Sequence, residues 1–152
     1  MQIDPNLIFI NLEVETKEEA LGILGSQLHI SGYVKEKFPE SVLEREEKFP
    51  TGLHFVPYGV AIPHTDGDKV IQSQLAFASL KKPVPFMEMG NVYKNVEVSL
   101  IFMLALTTPK DQPILLQKLM EMFQDKVTMN KLVLLEETGK IMAILQEQLD
   151  YK

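Results

Sequence analysis

Two hydrophobic patterns run through this chain, and they predict different kinds of element. Short apolar runs rich in β-branched or aromatic residues predict strands at Leu7–Leu12, Val60–Ile62, Leu75–Leu80 and Val96–Leu106. Apolar residues at helical spacing predict five helices. The first helix follows the capping box Thr16–Glu19 and ends by Gly32, and the second runs from about Pro39 to before Pro50. The third starts near Asp111 or Gln112 and reaches Phe123, and a short fourth helix lies around Lys131–Leu135. The C-terminal helix carries Ile141, Ile144 and Leu145.

The order of these elements predicts the fold class. Val96–Leu106 is the longest apolar run and is typical of a central strand that is covered on both faces. Lys81–Pro85 and Met89–Asn91 are interpreted as turns or an edge segment. A strand, then helices, several strands and more helices indicate an α/β fold (α+β in some schemes). We expect one domain over residues 1–152, with a mixed β-sheet sandwiched between helical layers.

Composition narrows the classes of partner. Hydrophobic residues make up 45% of the chain and charged residues 24%, which is ordinary for a soluble globular protein. The net charge of −6 argues against a nucleic-acid partner, because phosphate backbones need a basic surface. No apolar run is long enough for a membrane span, and the start of the chain lacks a signal-peptide pattern. A cytoplasmic location without direct membrane insertion is therefore expected.

The chain has no cysteine and three histidines, which makes histidine the main candidate for nucleophilic chemistry near neutral pH. His64 draws attention because it ends the apolar segment Gly59–Pro63, and Thr65–Asp68 then turns away. A strand that ends in a reactive side chain holds that group rigidly and still exposes it. Neutral imidazole is a competent nucleophile at pH 7, provided that a hydrogen bond to its other nitrogen fixes the tautomer.

Arg45 is the only arginine in the chain. A guanidinium can grip two phosphoryl oxygens at once, so Arg45 is the candidate for phosphoryl stabilisation if His64 carries a phosphoryl group. Taken alone, the residues favour a simpler interpretation, in which Arg45 lies exposed on its helix and pairs with one of three neighbouring glutamates. Those glutamates are Glu44, Glu46 and Glu47.

Further polar residues near His64 in sequence are weaker candidates. Thr51 and Gly52 are candidates for bringing backbone N–H groups near a phosphoryl group, and Thr65 is a candidate for offering a hydroxyl. His54 could line the rim of the site, or it is simply an exposed or packed loop histidine. Asp66 and Asp68 form a His-x-Asp-x-Asp spacing with His64, but Gly67 between two aspartates is ordinary turn chemistry. We therefore expect no metal site.

A longer pattern joins these candidates. The chain reads Arg45-Glu46, then Pro50-Thr51-Gly52, then Gly59-Val60-Ala61-Ile62-Pro63-His64. In order and spacing this resembles the signature of the fructose–mannitol-type (type 2) enzyme IIA of the bacterial sugar phosphotransferase system, and the resemblance extends over nearly the whole chain. Around Glu44–Lys48 and Leu115–Met120 the chain looks most like the galactitol-specific branch.

The resemblance implies a phosphotransferase component that needs no cofactor. By this analogy, His64 accepts a phosphoryl group from the histidine phosphocarrier protein and passes it to a cysteine of enzyme IIB, which serves the membrane enzyme IIC. Many relatives carry a second histidine near the start of the helix after the central strand. Gln112 stands at the matching position here; it can donate a hydrogen bond but cannot become cationic. An ordinary polar residue at a helix start is an equally good interpretation of Gln112.

Two other functions fit the sequence. In one, the same phosphohistidine switches affinity for a transporter, a kinase or a transcription factor, since a phosphoryl group changes local charge by nearly two units. In the other, the protein is a hydrolase that pairs His64 with Asp66 or Glu88 as acid and base. A gene neighbourhood that contains an enzyme IIB and a membrane enzyme IIC favours transport over regulation, whereas turnover of a small substrate by this protein alone indicates a hydrolase.

Overall fold

The structure is a computed structural model, and it describes residues 1–108 and 110–150, without the side chain of Asp111. In that part of the chain there are five strands: β1 (Ile8–Leu12), β2 (Gly52–Leu53), β3 (Gly59–Ala61), β4 (Gln74–Glu88) and β5 (Asn91–Ala105). Five α-helices accompany them: α1 (Lys17–Ile30), α2 (Phe38–Lys48), α3 (Asp111–Phe123), α4 (Lys126–Leu134) and α5 (Thr138–Leu149). None of the described helices is long and apolar enough to cross a bilayer.

The five strands form one mixed sheet. The long hairpin β4–β5 is antiparallel and turns at Gly90. On one side of this hairpin β1 runs parallel to β4, and on the other side β3 runs parallel to β5, with Val60 opposite Leu100. The short strand β2 is antiparallel to β3, and it also meets the far end of β4, where Gly52 lies opposite Glu88. The segment Val96–Leu106 is therefore central, as predicted.

Helices cover both faces of the sheet, which confirms the predicted layers. Alternate residues of β5 point to opposite faces, as the two-residue period of a strand requires. Ile101 and Met103 pack in the cluster that includes α1 and α2, whereas Phe102 and Leu104 pack in the cluster that includes α3, α4 and α5. Because β5 is buried on both sides, its sequence is a continuous apolar run rather than an alternating one.

Capping and helix-breaking residues set the ends of the first two helices. The hydroxyl of Thr16 accepts a hydrogen bond from the backbone N–H of Glu19, as the capping-box prediction requires. Helix α1 ends just before Gly32, whose φ of 86° lies in the left-handed region that favours glycine. Helix α2 ends two residues before Pro50. It buries one stripe, which consists of Phe38, Val42 and Glu46.

Three predicted boundaries need correction. Lys81–Pro85 was expected to be a turn or edge segment, but β4 continues through it to Glu88 with an irregular register opposite β5. Pro83 is tolerated there because a bulged strand leaves some backbone groups outside the ladder. Strand β5 begins at Asn91 rather than Val96. Helix α4 begins at Lys126 rather than near Lys131, because the Asp125 side chain caps the backbone N–H of Thr128.

Candidate functional site

His64 follows the short strand β3 at one end of the sheet. Ile62 and Pro63 continue from the strand and are buried, and the carbonyl of Pro63 accepts a hydrogen bond of 2.9 Å from the backbone N–H of Leu104. The central strand therefore holds the backbone directly before His64. The imidazole itself is only half-buried, which matches the expectation of a rigidly held but accessible side chain.

The hydrogen bonding of the His64 ring fixes its tautomer. Nδ1 lies 2.8 Å from the carbonyl oxygen of Ile62, two residues earlier. A carbonyl only accepts, so Nδ1 carries the hydrogen and donates it. In the neutral ring Nε2 then holds a free lone pair. This backbone acceptor could not be identified from the sequence, because it depends on the path of the chain at Ile62.

The surroundings of His64 favour its neutral form. Burial is the largest influence, and it lowers the pKa of His64 below its usual value. The positive charge of Arg45 acts in the same direction. The hydrogen bond to Ile62 and the negative charge of Asp66 oppose this lowering. With a lowered pKa, the ring is mostly neutral at pH 7 and its Nε2 lone pair is available.

Arg45 of helix α2 lies beside His64. Its Nη1 is 3.8 Å from Oδ1 of Asp66, and its guanidinium carbon lies 5.4 Å from the centre of the Phe49 ring. Its Nε is buried and has no hydrogen-bond partner among the described residues. The ion-pair partner is thus Asp66 rather than one of the glutamates of α2. Since the Asp66 side chain is 75% exposed, this ion pair is weak and the guanidinium is free to bind another anion.

A cavity of about 140 Å³ joins the candidate residues. His64, Arg45 and Gln112 all line it, together with Thr65 and Asp66. Gln112 comes from the first turn of α3, so its amide is placed at the same cavity as the imidazole. Helix α2, the loop after β3 and the start of α3 therefore meet at this point.

The loop after His64 lies unusually close to the end of the central strand. A Cβ atom on Gly67 would lie 2.8 Å from the carbonyl oxygens of both Leu106 and Thr107. Only glycine permits this approach without a shift of backbone. The hydroxyl of Thr65 contacts that of Ser41 on α2, so the loop is also attached to the helix that carries Arg45.

Thr51 and Gly52 do not have the arrangement that was expected. The backbone N–H of Thr51 donates to a carboxylate oxygen of Glu46 at 2.8 Å, so it is not directed at the cavity. The hydroxyl of Thr51 donates to the other oxygen of Glu46, also at 2.8 Å. Gly52 lies in β2, where a Cβ would be 2.5 Å from the carbonyl oxygen of Met87, so the glycine serves strand packing.

Glu46 is the residue whose position sequence reasoning missed. It is 3% exposed, and burial, the largest influence, raises its pKa to about 7, although the Thr51 hydrogen bonds and the charge of Lys17 oppose this. A signal for its burial was present in the sequence. Phe38, Val42 and Glu46 are spaced four residues apart, which places Glu46 on the buried stripe of its helix.

The remaining candidates lie elsewhere or have other partners. His54 is exposed and does not line the cavity as described. Glu88 lies at the end of β4, opposite Gly52, and also does not line it. Asp68 is 3.4 Å from Nζ of Lys69. Among the described residues no group of three or more histidine or acidic side chains is arranged to hold a metal ion.

The sheet, covered by helices on both faces, thus presents a histidine, an arginine and a glutamine at one cavity. Residues 1–148 match the family model described as "Phosphoenolpyruvate-dependent sugar phosphotransferase system, EIIA 2". The chain belongs to this family. This confirms the resemblance that the signature from Arg45 to His64 indicated.

Several characterised relatives are similar in sequence. A multiphosphoryl transfer protein of Shigella flexneri is 38% identical over 102 residues, which is 65% of this chain and 11% of that protein. The chain thus spans about a ninth of this relative. The galactitol-specific EIIA component of Escherichia coli (strain K12) is 28% identical over 122 residues, 80% of this chain and 81% of that one. The transcriptional regulator ManR of Bacillus subtilis (strain 168) is 35% identical over 101 residues, 66% of this chain and 14% of that protein.

Solved structures share the fold. A PTS IIA (PtxA) from Streptococcus mutans superposes with a TM-score of 0.80 at 21% identity, and covers 97% of this chain and 95% of its own. Enzyme IIAMTL from Escherichia coli, solved in a complex with phosphorylated enzyme IIBMTL, superposes with a TM-score of 0.77 at 22% identity, covering 96% and 98%. At these identities the likeness establishes the α/β fold with its mixed sheet.

Proposed function

We propose that this protein is a phosphohistidine carrier of a sugar phosphotransferase system, with Nε2 of His64 as the phosphoryl acceptor. The observation that carries this proposal is the half-buried His64 ring, whose Nδ1 is bonded to the Ile62 carbonyl and which lines a cavity together with Arg45. Membership of the enzyme IIA family supports the same chemistry.

Each transfer exchanges one bond to phosphorus for another. The lone pair of His64 Nε2 forms a bond to phosphorus, and the bond between phosphorus and the donor imidazole breaks, which returns its electron pair to the donor ring. The hydrogen on Nδ1 stays in its bond to the Ile62 carbonyl, which stabilises the positive charge that develops on the ring. In the second transfer a cysteine thiolate of the acceptor attacks phosphorus, and His64 recovers its lone pair.

Arg45 is proposed to stabilise the phosphoryl group. Its weak ion pair with the exposed Asp66 is replaceable, and its Nε has no partner among the described residues. The oxygens of a phosphoryl group on His64 can accept hydrogen bonds from Nη1 and from Nε of Arg45. Gln112 at the same cavity donates through its amide, which makes it a neutral hydrogen-bond donor in place of a second histidine.

The proposed partners follow from this chemistry. The donor is the histidine phosphocarrier protein, and the acceptor is a cysteine of enzyme IIB, since this chain has no cysteine of its own. The complex of the mannitol relative with phosphorylated enzyme IIB supports a partner of that kind. Enzyme IIC completes uptake, with galactitol as the favoured sugar because of the galactitol-specific relative, and the carrier acts in the cytoplasm.

The test is intact-protein mass after incubation with phosphoenolpyruvate, enzyme I and the histidine phosphocarrier protein. We expect wild type to gain one acid-labile phosphoryl group, His64→Ala to gain none, and His54→Ala to behave as wild type. Addition of galactitol enzyme IIB should then remove the group. A wild-type protein that gains nothing from a donor shown to be active would contradict the proposal, as would a gain by His64→Ala.

A regulatory module is the second candidate, and the similarity to the transcriptional regulator ManR favours it. In that case the same histidine is phosphorylated, but the phosphoryl group is not passed to a cysteine of a sugar-specific enzyme IIB. The two are separated by adding enzyme IIB to the phosphorylated protein: rapid loss of the phosphoryl group indicates transport, whereas retention together with altered binding of a protein partner indicates regulation. The hydrolase alternative finds no support at Glu88, because that residue does not line the described cavity.

A further inference from the structure

A buried hydrogen-bond network reaches the backbone beside His64 through residues that do not line the cavity. Both carboxylate oxygens of Glu46 are occupied by Thr51, one by its backbone N–H and one by its hydroxyl, each at 2.8 Å. Glu46 and Thr51 are both 3% exposed. This network connects α2 to the loop that enters β2.

The network continues to the residue that binds the imidazole. Oγ1 of Thr51 accepts a hydrogen bond of 3.2 Å from the backbone N–H of Ile62. The carbonyl of the same Ile62 accepts from Nδ1 of His64 at 2.8 Å. Ile62 is therefore held at its N–H by Thr51, and its carbonyl is the group that selects the histidine tautomer.

We propose, on the basis of the carrier function above, that Glu46 and Thr51 are positioning residues for His64. Glu46 orients Thr51, Thr51 fixes the Ile62 backbone through its N–H, and the Ile62 carbonyl then keeps the hydrogen on Nδ1 and the lone pair on Nε2. Neither residue touches the transferred phosphoryl group; both act through Ile62.

The position of Glu46 on its helix supports this role. The other members of its buried stripe, Phe38 and Val42, are apolar, and burying a carboxylate among them is unfavourable unless it gains specific hydrogen bonds. Arg45 is the adjacent residue, and successive helical residues point about 100° apart. One helix therefore presents Arg45 to the cavity and Glu46 to the network that orients the histidine.

The geometry distinguishes two substitutions of Thr51. Thr51→Val preserves the volume but removes the only acceptor that the Ile62 N–H has in this network. Thr51→Ser retains that hydroxyl. We expect Thr51→Val to shift the neutral His64 ring toward the Nε2–H tautomer and to slow phosphoryl transfer about tenfold, the lower end of what loss of a histidine-orienting contact costs elsewhere. Thr51→Ser should recover most of both.

The measurement is ¹⁵N–¹H NMR of the His64 ring nitrogens above their titration range, with the backbone amide shift of Ile62 as a local reporter. Wild type should show a protonated Nδ1 and an unprotonated Nε2. Glu46→Leu should resemble Thr51→Val, whereas Glu47→Leu, which changes an exposed glutamate of the same helix, should leave the ring spectrum unchanged. Circular dichroism establishes that each variant is folded.

Three results would overturn the proposal. The first is a wild-type ring protonated on Nε2, which is read without any variant and so remains decisive if a variant does not fold. The second is a folded Thr51→Val with wild-type ring and Ile62 signals. The third is a Thr51→Ser that fails as Thr51→Val does. Because NMR needs no phosphoryl donor, an intact network in a protein that accepts no phosphoryl group would contradict the carrier function and leave the positioning role supported.

Discussion

Nη1 of Arg45 lies 3.8 Å from Oδ1 of Asp66, so the single arginine of this chain is held beside the histidine by an exposed carboxylate two residues after it. The pair keeps the guanidinium near the cavity at little energetic cost, since an ion pair with so exposed a partner contributes at most about 1 kcal/mol. An incoming phosphoryl group competes with Asp66 for the same cation. Arg45 and Asp66 also have opposite effects on the pKa of His64, which Arg45 lowers and Asp66 raises.

Replacing Arg45 should slow phosphoryl transfer. Removal of one well-placed electrostatic donor typically costs about a hundredfold in rate, and we expect that loss for Arg45→Gln. Arg45→Lys should recover only part of it, because a lysine lacks the planar fork that grips two oxygens. The rate is measured by rapid-quench transfer from the phosphorylated histidine phosphocarrier protein. Lys131→Gln, an exposed cation of α4, is the control, and an Arg45→Gln rate equal to its rate would exclude the role.

Replacing Asp66 should move the titration of His64. The negative charge of Asp66 raises the pKa of His64, so Asp66→Asn should lower that pKa further. Arg45→Gln should have the opposite effect, because the positive charge of Arg45 lowers the same pKa. An NMR titration of the His64 ring measures both. Asp68→Asn, where the carboxylate faces Lys69 instead, serves as the matched control; shifts of the same sign in Asp66→Asn and Arg45→Gln would contradict this account.

The fold was largely predictable from the sequence because its signals are local. The hydrophobic run of β5, the cap at Thr16 and the stop at Gly32 are each encoded within a few residues. The prediction was wrong at Lys81–Pro85, where two lysines and two prolines are typical of a turn. There Val84 and Pro85 pair with Val98 and Glu97 of β5, and pairing across the hairpin is not visible in the local pattern of the segment itself.

The site was predictable in its residue types but not in its connections. His64 and Arg45 were proposed from their motif, and both line one cavity in the structure. The hydrogen bond from His64 to Ile62 depends on a backbone carbonyl, which any residue supplies equally, so the sequence contains no sign of it. Glu46 was considered only as one of three possible partners of Arg45, because charged neighbours in sequence suggest pairing, whereas the structure pairs Arg45 with Asp66 and Glu46 with Thr51.

Glu46 should make the stability of the protein depend on pH. Its pKa rises from an ordinary 4.5 to about 7 in the folded state, so between these values the folded protein retains a proton that the unfolded chain has lost. The contribution of this group to stability is therefore most favourable below pH 4.5 and is lost as pH rises toward 7, a difference of about 3 kcal/mol.

Glu46→Gln tests that dependence. Its amide resembles the protonated carboxyl, with the oxygen accepting from the Thr51 N–H and the NH₂ donating to the Thr51 hydroxyl. The stability of wild type relative to Glu46→Gln should fall as pH rises from about 5 to 8, measured by urea unfolding at each pH. Glu47→Gln, at an exposed site, should show no such trend. A constant difference between wild type and Glu46→Gln would mean that Glu46 is ionised across this range.

A methyl group at Gly67 should disturb the site without touching its reactive side chains. In Gly67→Ala the new Cβ would meet the carbonyl oxygens of Leu106 and Thr107 at 2.8 Å, and both belong to backbone that cannot rotate away. The loop must then move, at a cost of about 1–3 kcal/mol typical of overpacking, and transfer through His64 should slow.

Gly22→Ala in α1 is the matched control, because its Cβ would have no heavy atom within 4 Å, so it should stabilise the helix by about 0.5–1 kcal/mol. Thermal unfolding and the phosphoryl-transfer rate measure both variants, and a Gly67→Ala protein as stable and as fast as Gly22→Ala would show that this close approach is not required.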